Sequence, residues 1–397
     1  MKVEMKLKGN ASRAVNPNGC KQEVLNQINY VKEQGTYEGP KKVLVLGSSS
    51  SYGLGSRITA AFGSGADTIG VSFERGPKDE NMLGTAGWYN NIYFREFAEK
   101  EGLIAKNFIG DAYGLDMKEQ VIDYIKESFG GKIDLLVYSL AAPKRTDYKT
   151  GITYTSALKP IGMTVTGENI NLEKEELFTQ VIEPATEEEV EGTIKVMGGE
   201  DWEWWVELLK EAGCLADGFK TVLYSYIGPE ATHAFYHDGS LGKAKEQAEE
   251  SSARINETLK DINGQSLICV SKAVTTKASV VIPILPKYLI CLYKVMMEKG
   301  THETPIMHKD RIFRTMLYGN KPEFDEKGRL RPDSWELNPE VQKEVSDLMS
   351  QLNQDNFKTE LTAYKLFKKE FFNINGFIVD GNTSDEVQFD ELINLKP

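Results

Sequence analysis

Short apolar runs alternate with helix-length amphipathic segments along most of this 397-residue chain. The runs are four to six residues long, and they lie at residues 43–46, 68–73, 104–109, 133–138, 221–226 and 266–271. A continuous apolar run of this kind is typical of a strand that is buried on both faces. Strands that alternate with helices form parallel sheets covered by helices on both sides. The pattern therefore predicts an α/β fold with a doubly wound parallel sheet.

Residues 143–220 interrupt this alternation. They contain prolines, glycines, an acidic run and the tryptophans Trp202, Trp204 and Trp205. We interpret the region as a substrate-domain insertion that covers one end of the sheet. The alternative interpretation is a solvated helix whose tryptophans belong to the core, and the sequence favours neither.

The last part of the chain is polar-faced and predicted to be helical. Asn338 followed by Pro339 is a typical helix start, and Val341 and Val345 begin an apolar face. We expect a single enlarged domain over residues 1–397. Its parts are a core at about 41–142 and 221–300, the insertion at about 143–220, and a helical C-terminal extension at about 301–397.

Charge and cysteine usage exclude several classes of function. The formal net charge of −12 repels phosphate backbones, so we expect no nucleic-acid partner. The four cysteines form no CxxC pair and lie at no metal-ligand spacing to histidine, so we expect no metal site. Unpaired cysteines and the lack of a signal-peptide pattern predict a cytoplasmic location.

One apolar stretch, residues 280–297, is nearly long enough to cross a bilayer. Lys287 and Lys294 lie inside it, and Pro283 and Pro286 interrupt it. We therefore expect a buried or pocket-lining segment and no stable membrane insertion.

A glycine-rich turn, residues 47–55, follows the first predicted strand and opens a helix. We call it the phosphate turn, because Gly47 and Gly53 allow a sharp bend and a close approach to a pyrophosphate. Glu74 ends the next strand, where a carboxylate would accept hydrogen bonds from a ribose and repel a 2′-phosphate. The sequence predicts a Rossmann-like sheet that binds NADH in preference to NADPH. A structural turn with a surface glutamate is the alternative.

Two further segments follow predicted strands. Asp111-Ala112 comes after the third strand, and Ser139-Leu140 comes after the fourth. Ligands bind at the carboxyl ends of strands in open α/β sheets. We expect Asp111 to contact adenine and the small residues after Tyr138 to leave room for the nicotinamide end.

Tyr236 and Lys245 stand in the arrangement Tyr-x8-Lys. A phenol can hydrogen-bond a substrate carbonyl, and a nearby ammonium favours the phenolate and can hold a ribose. Nine residues of continuous α-helix turn the chain through about half a circle, which would point the two side chains apart. We therefore predict a helix break at Asp238-Gly239-Ser240, with a serine or aspartate cap on the next helix.

Several motifs together resemble the FabV-type trans-2-enoyl-CoA and enoyl-acyl-carrier-protein reductases, an enlarged relative of the short-chain dehydrogenases. The likeness extends from Asn18 to Phe377. The motifs are the turn ending Tyr52-Gly53-Leu54, Gly87-Trp-Tyr-Asn-Asn91, Tyr138-Ser-Leu-Ala-Ala142, Val196-Met-Gly-Gly-Glu-Asp-Trp202, Tyr224-Ser-Tyr-Ile-Gly-Pro-Glu230 and the Tyr-x8-Lys arrangement.

The resemblance implies roles for particular residues. Tyr236 would be the proton donor, Lys245 a ligand of the cofactor, and Tyr226 a contact of the thioester. It also implies a monomer. Three positions depart from the usual residues of the family: Ser51, which replaces a glycine and places cofactor affinity in doubt, and Ser271 and Thr275, whose replacement we expect to be harmless. The implied NAD(H)-binding residues are Gly47, Ser48, Ser49, Ser50, Ser51, Tyr52, Phe73, Glu74, Asp111, Ala112, Ser139, Leu140, Lys245, Val274, Thr275 and Thr276.

The resemblance implies an NADH-dependent enzyme that reduces the C2–C3 double bond of trans-2-enoyl-CoA or enoyl-acyl-carrier-protein. An NADH-dependent reductase of 3-oxoacyl thioesters or ketones is the main alternative, because it needs the same tyrosine and lysine. A non-catalytic module that senses NADH is the other. The sequence leaves the acyl carrier and the chain length open.

Overall fold

Each of the six apolar runs forms a strand of one parallel sheet. The computed structural model describes residues 1–397. In chain order the strands are β1 (Leu7–Lys8), β2 (Ala11–Ser12), β3 (Lys42–Leu46), β4 (Asp67–Ser72), β5 (Ala105–Ile109), β6 (Ile133–Tyr138), β7 (Lys144–Thr146), β8 (Thr153–Thr155), β9 (Val165–Asn171), β10 (Glu176–Ile182), β11 (Leu215–Ser225) and β12 (Gln265–Val270).

The helices cover both faces of this sheet and the C-terminal part of the chain. Short turns of other helical types lie at Lys260–Ile262, Ile312–Leu317 and Pro332–Trp335. The α-helices are α1 (Pro17–Glu33), α2 (Ser51–Ser64), α3 (Ala86–Lys100), α4 (Leu115–Ser128), α5 (Glu187–Met197), α6 (Glu200–Glu211), α7 (Glu230–Tyr236), α8 (Ser240–Leu259), α9 (Leu285–Glu298), α10 (Pro305–Arg311), α11 (Pro339–Gln351), α12 (Tyr364–Asn373) and α13 (Phe389–Leu392).

The central sheet has the order β5-β4-β3-β6-β11-β12, and all its neighbouring strands are parallel. The predicted doubly wound α/β fold is confirmed. The order reverses between β3 and β6, and ligands bind at the carboxyl ends of the strands that flank such a reversal. The topology therefore points to the ends of β3 and β6 as the place for a site.

Strand β3 shows why the apolar runs are continuous. Leu44 and Leu46 face a core shared with α4, α6 and α8, while Val43 and Val45 face a core shared with α2 and the π-helical turn 312–317. Successive side chains of a strand point to opposite faces, so two covered faces require apolar residues at every position. The C-terminal extension supplies part of one covering layer.

The region 143–220 begins with two antiparallel hairpins, β7–β8 and β9–β10, and continues with α5 and α6. Strands β6 and β11 pair in parallel, so α6 lies in the crossover between them. Trp202 and Trp205 are fully buried in the sheet core, which agrees with the alternative interpretation that the tryptophans of this region are core residues. Trp204 is half-buried and packs edge-on against Tyr148.

Helix α9 is the centre of a second apolar core, which it shares with α11 and α12. Lys287 on α9 is buried and pairs with Glu168, so the prediction of a buried segment is confirmed. None of the helices combines the length and the apolar character needed to cross a bilayer. The predicted start of α11 is also confirmed, because the Asn338 side chain accepts the Glu340 N–H and Pro339 is the first helical residue.

Candidate active site

The phosphate turn leaves β3 at the point where the strand order reverses. Gly47 has φ +81°, and a Cβ there would lie 2.1 Å from the Ser139 carbonyl oxygen. A Cβ on Gly53 would lie 1.9 Å from the Gly47 carbonyl oxygen. Both positions therefore require glycine. No side chain caps the N-terminus of α2, so its first N–H groups point outward and can bind an anion.

Ser51 is the first residue of α2 and adopts φ +48°, which is the left-handed region. A left-handed backbone costs an L-residue about 1–2 kcal/mol. Serine would fit here without cost only if the position avoided left-handed dihedrals, but the position adopts them. The departure from glycine at this position is therefore a strained one.

Glu74 lies between the phosphate turn and the N-terminus of α3. Its carboxylate accepts a hydrogen bond from the Ser49 hydroxyl at 2.5 Å and another from Thr85. A Cβ on Gly87 would lie 2.0 Å from the Glu74 Oε1 atom, so α3 approaches the carboxylate closely. Asn90 completes the contact by donating to the Ser49 carbonyl at 2.9 Å. Phe73 beside Glu74 is 78% exposed.

The segments after β5 and β6 lie at the same edge of the sheet. Asp111 is exposed, while the Ala112 carbonyl accepts hydrogen bonds from Lys118 at 2.8 Å and Trp205 at 3.1 Å. Lys118 also forms a fully buried ion pair with Asp201 at 2.8 Å. After β6, the Ser139 N–H donates to the Leu46 carbonyl at 2.9 Å. Leu140 packs on the adjoining core.

The predicted break between Tyr236 and Lys245 is present. Helix α7 ends at Tyr236 and α8 begins at Ser240, after Gly239 in an extended conformation. The predicted serine or aspartate cap is wrong, because Gly239 itself is the N-cap and the Ser240 hydroxyl donates instead to the Ala157 carbonyl. That bond ties the break to the segment after β8.

Tyr236 is only 7% exposed, and its ring packs edge-on against Tyr226 with 4.6 Å between centroids. Burial and the nearby Glu336 carboxylate raise the pKa of Tyr236 well above its usual value, so the phenol keeps its proton. Burial lowers the pKa of Lys245 to about 8. Neither the Tyr236 hydroxyl nor the Lys245 ammonium bonds to another protein group, so both are available to a ligand.

Tyr226 follows β11 and is bonded to the C-terminal extension. Its hydroxyl donates to the Glu336 Oε1 atom at 2.8 Å, and the Tyr288 hydroxyl donates to the same oxygen at 2.8 Å. The Ala273 N–H donates to Oε2 at 2.6 Å. Glu336 is fully buried and has no cationic hydrogen-bond partner. Burial therefore raises its pKa, an effect that the Ala273 N–H and Lys272 oppose.

Residues 271–276, which we call the closing segment, follow β12. The Lys272 N–H donates to His308 at 3.2 Å, and its carbonyl accepts from the Tyr52 hydroxyl at 2.7 Å. The Thr275 hydroxyl donates to Glu370 at 2.7 Å. Val274 is buried, and Thr276 exchanges reciprocal hydrogen bonds with Ser279. Side chains from residues that follow position 300 therefore hold much of this segment.

A cavity of about 100 Å³ joins the phosphate turn to the closing segment. Its lining includes Ser50 and Ser51 of the phosphate turn, Thr275 of the closing segment and the first residues of α10. The carboxylates of Glu23 and Glu370 also line it. Two segments that lie more than 200 residues apart in the chain, both predicted to bind the cofactor, thus share one cavity.

Comparison with known families gives a full-length match. A family profile described as "Trans-2-enoyl-CoA reductase catalytic region" matches residues 82–318. A profile for the NAD(P)H-binding domain of trans-2-enoyl-CoA reductase matches residues 2–79. This chain belongs to the trans-2-enoyl-CoA reductase family. The resemblance inferred from the motifs is confirmed.

The relatives of this chain carry two kinds of name, trans-2-enoyl-CoA reductase and enoyl-[acyl-carrier-protein] reductase. The chain is 51% identical to the trans-2-enoyl-CoA reductase [NADH] of Clostridium beijerinckii, over 97% of each chain. It is 48% identical to the enoyl-[acyl-carrier-protein] reductase [NADH] 2 of Photobacterium profundum, over 100% of each chain. The solved structure of the Clostridium acetobutylicum trans-2-enoyl-CoA reductase with NADH superposes with a TM-score of 0.97, at 48% identity and full coverage of both chains.

A third profile, described as "Enoyl reductase FAD binding domain", matches residues 324–387. This region of the reductase contains α11, α12 and connecting turns. It lacks the unit that binds dinucleotides, in which a strand leads through a glycine-rich turn into a helix. Its apolar side chains pack into the core around α9. The residues present do not fit a flavin, and we derive no chemical step from one.

Sequence reasoning missed several polar residues around the site. The four with the clearest role each hold a strand-end segment: the buried Lys118 and Asp201 beside Ala112, and the buried Glu336 and half-buried Glu370 beside the closing segment. Asp201 lies inside a quoted motif, which was a usable signal. Glu336 and Glu370 stand among many other acidic residues of a polar extension, and no local pattern distinguishes them.

Proposed function

We propose that this chain uses NADH to reduce the C2–C3 double bond of trans-2-enoyl thioesters carried on coenzyme A or acyl carrier protein. The observation that carries the proposal is the contact between Tyr236 and Tyr226, which puts a free phenol at the sheet edge where the phosphate turn also lies. Relatives with both kinds of name cover the whole chain at close to half identity.

The residues at this edge fit the parts of NADH. The N–H groups at the start of α2 would bind the pyrophosphate, and Glu74 would accept the ribose hydroxyls and repel the 2′-phosphate of NADPH. When bound, NADH supplies the hydride that adds to the β-carbon. Further contacts are proposed from Phe73, Asp111, Ala112, Ser139, Leu140, Lys245 and the residues 274–276.

The Tyr236 hydroxyl would bind the thioester oxygen. As hydride adds to C3, the π electrons shift onto this oxygen, and the phenol stabilises the resulting enolate by donating a hydrogen bond. C2 then takes up a proton. Because the surroundings of Tyr236 are buried, this single donor acts in a low dielectric, where it contributes far more than it would in water.

Tyr226 has a narrower role than direct donation. Its one hydroxyl proton is already donated to Glu336, so it has no second proton for the substrate oxygen. Its ring instead packs against Tyr236 and would contact the thioester. We propose that Tyr226 positions the phenol of Tyr236, while Tyr236 alone donates to the enolate.

Replacing Tyr236 with Phe tests the assignment. The change removes one hydroxyl from a ring that stays packed, so turnover of crotonyl-CoA should fall at least about a hundredfold. NADH affinity, measured by fluorescence titration, should hardly change. Tyr124→Phe is the control, because its partly buried ring packs against Phe108 on the outer layer and its hydroxyl bonds nothing in the protein. Near-normal turnover of Tyr236→Phe would refute the role of the phenol.

The choice of substrate distinguishes this proposal from its main alternative. Oxidation of NADH with crotonyl-CoA but not with acetoacetyl-CoA supports enoyl reduction, and the reverse would identify a carbonyl reductase. A chain that binds NADH and turns over neither thioester would be the non-catalytic sensor. Matched crotonyl-CoA and crotonyl-acyl-carrier-protein substrates identify the carrier.

We also propose that the enzyme acts as a monomer in the cytoplasm. The monomer is what the family resemblance implies. Four free, buried cysteines fit a reducing compartment. Sedimentation at assay concentrations should give the mass of one 44.5 kDa chain, and a stable dimer would overturn the proposal.

A further inference from the structure

We propose that the C-terminal end of α7 binds one divalent transition-metal ion of the zinc class, through His233, His237 and Asp238, and that the bound ion slows turnover. The slowing rests on the proposed function, whereas the metal binding does not. The expectation of no metal site was based on cysteine spacing, and it did not weigh these histidines.

The three side chains already lie together. One potential ligand atom from each residue falls within 4.8 Å of the others. Two histidines four residues apart lie on one helical face, which is a spacing that helices use to bind zinc. Here the two imidazole rings stack with 4.9 Å between centroids and 26° between planes. Ligands of a tetrahedral ion are about 3.3 Å apart, given bonds of about 2.0 Å, so rotations of the exposed His237 and Asp238 side chains toward the half-buried His233 would complete the set.

Hydrogen bonds orient both rings in the way that metal ligands require. His233 donates from Nε2 to the Gly228 carbonyl at 3.1 Å, and His237 donates from Nδ1 to an Asp238 oxygen at 2.6 Å. In a neutral imidazole the other nitrogen then carries the lone pair, free for a metal. Metal-bound histidines typically donate their second N–H to a carbonyl or carboxylate in this manner. An ion on Nε2 of His237 lies on the far side of the ring from this carboxylate, so Asp238 becomes the third ligand by turning its exposed side chain from Nδ1 toward the ion.

Backbone geometry and charge reinforce this arrangement. The N–H groups of His237 and Asp238 both donate to the His233 carbonyl, at 3.0 Å and 2.7 Å. These bonds wrap the three residues into one compact turn. Asp238 adds a carboxylate to two imidazoles, and zinc accepts nitrogen and carboxylate oxygen ligands together. The side chains of His237 and Asp238 are 59% and 69% exposed, which lets an ion enter from solvent.

The site adjoins Tyr236, which precedes His237 in the chain. Because Tyr236 is only 7% exposed, a thioester approaches its hydroxyl through a small opening, and movement of neighbouring groups would widen that opening. Helix α7 has seven residues and lies between Gly228 and Gly239, so it is the short element best able to move. An ion bound across its last turn and the break before α8 would hold both in one arrangement. Access to Tyr236 would then be slower.

The test uses the untagged full-length chain in buffer without thiols. Titration of ZnCl₂ against a chromophoric chelator should report one tight ion per chain, and MgCl₂ should not compete, because Mg²⁺ prefers oxygen ligands. The double variant His233→Asn with His237→Asn should weaken zinc binding at least about tenfold. The double variant retains all four cysteines. If zinc bound only to cysteines, the variant would bind it as tightly as the unsubstituted chain, and that result would overturn the site.

Turnover of crotonyl-CoA is measured in the same samples. Saturating zinc should lower kcat of the unsubstituted chain several-fold and leave the double variant unaffected, while the two proteins without zinc should match. Zinc binding with unchanged kcat would overturn the slowing but retain the site. If the unsubstituted chain reduces no enoyl thioester even without zinc, the proposed function fails, and the chelator titration still decides on the site.

Discussion

The phosphate turn and the closing segment line one cavity, but they are built in different ways. Gly47 and Gly53 shape the phosphate turn through contacts with each other and with the end of the adjacent strand. The closing segment is held by His308, Glu336 and Glu370, which follow it by 30 residues or more. The first depends on local backbone geometry, and the second depends on a remote polar shell.

This difference changes where each region is vulnerable. The phosphate turn makes its contacts mainly through backbone atoms, so its weak points are positions with unusual dihedrals. The closing segment depends on buried charged groups such as Lys272 and Glu336, whose hydrogen-bond partners are neutral. Removing a buried acceptor leaves its donors without partners, at about 1–3 kcal/mol for each. We therefore expect the largest losses in the free energy of unfolding when residues that hold the closing segment are replaced.

The largest effect is expected for Glu336→Ala. The change leaves the Tyr226 hydroxyl, the Tyr288 hydroxyl and the Ala273 N–H without their acceptor. The free energy of unfolding should fall by about 3 kcal/mol or more. In the folded fraction, kcat/KM for crotonyl-CoA should fall at least about tenfold, because Tyr226 no longer supports Tyr236. Chemical denaturation and steady-state kinetics measure the two effects.

Glu336→Gln is the conservative partner of this variant. Its amide oxygen can accept the Ala273 N–H while its NH₂ group donates to the two tyrosine oxygens, so it should recover most of the loss. Glu326→Gln, on an exposed turn residue, is the control for the loss of a carboxylate. Wild-type stability and kinetics in Glu336→Ala would abolish the contrast between the two regions.

A pH effect is expected from Lys309, which is fully buried, donates to the Ser271 hydroxyl at 2.7 Å and lies 3.4 Å from the Tyr224 ring centroid. Burial lowers its pKa from the ordinary 10.5 to about 7. Between these two values the unfolded chain binds more protons than the folded one, so the cost of burying Lys309 is full below about pH 7 and falls as the pH rises toward 10.5. Relative to Lys309→Met, the unsubstituted chain should gain about 2 kcal/mol between pH 7 and pH 9.

Denaturation curves of both proteins at several pH values measure this gain. Lys321→Met, at an exposed lysine, should show no such divergence from the unsubstituted chain. A constant difference between Lys309→Met and the unsubstituted chain across this range would mean that Lys309 keeps an ordinary pKa. Burial of Lys309 beside the closing segment would then carry no pH-dependent cost, and this difference from the phosphate turn would be lost.

The smallest effect is expected for Ser51→Gly in the phosphate turn. Glycine adopts φ +48° without strain but loses more backbone entropy on folding, so the net gain in stability should be about 0.5–1 kcal/mol. NADH should bind slightly more tightly. Ser50→Gly is the matched control, because Ser50 is extended at φ −158° and glycine there should only destabilise. Equal effects of the two changes on the unfolding free energy would show that Ser51 is not strained.

Sequence reasoning reached features that depend on short-range pattern. The apolar runs predicted the parallel sheet, and the helical period applied to Tyr236 and Lys245 predicted the break before α8. It failed on the cap of that helix, because the hydroxyl of Ser240 found the Ala157 carbonyl of a distant loop. It also left the tryptophans of α6 undecided, since both interpretations of them give the same local pattern.

The sequence by itself determined the sheet, the phosphate turn and the pairing of Tyr236 with a helix break, because strand burial, glycine geometry and helical rotation act over a few neighbouring residues. Only the tertiary structure decided which carboxylates matter. Glu336 and Glu326 lie ten residues apart in the same C-terminal extension, yet the first is fully buried and holds Tyr226 and Ala273, while the second is exposed. Burial depends on how the C-terminal extension packs against residues far from it in the chain, and no local pattern contains that information.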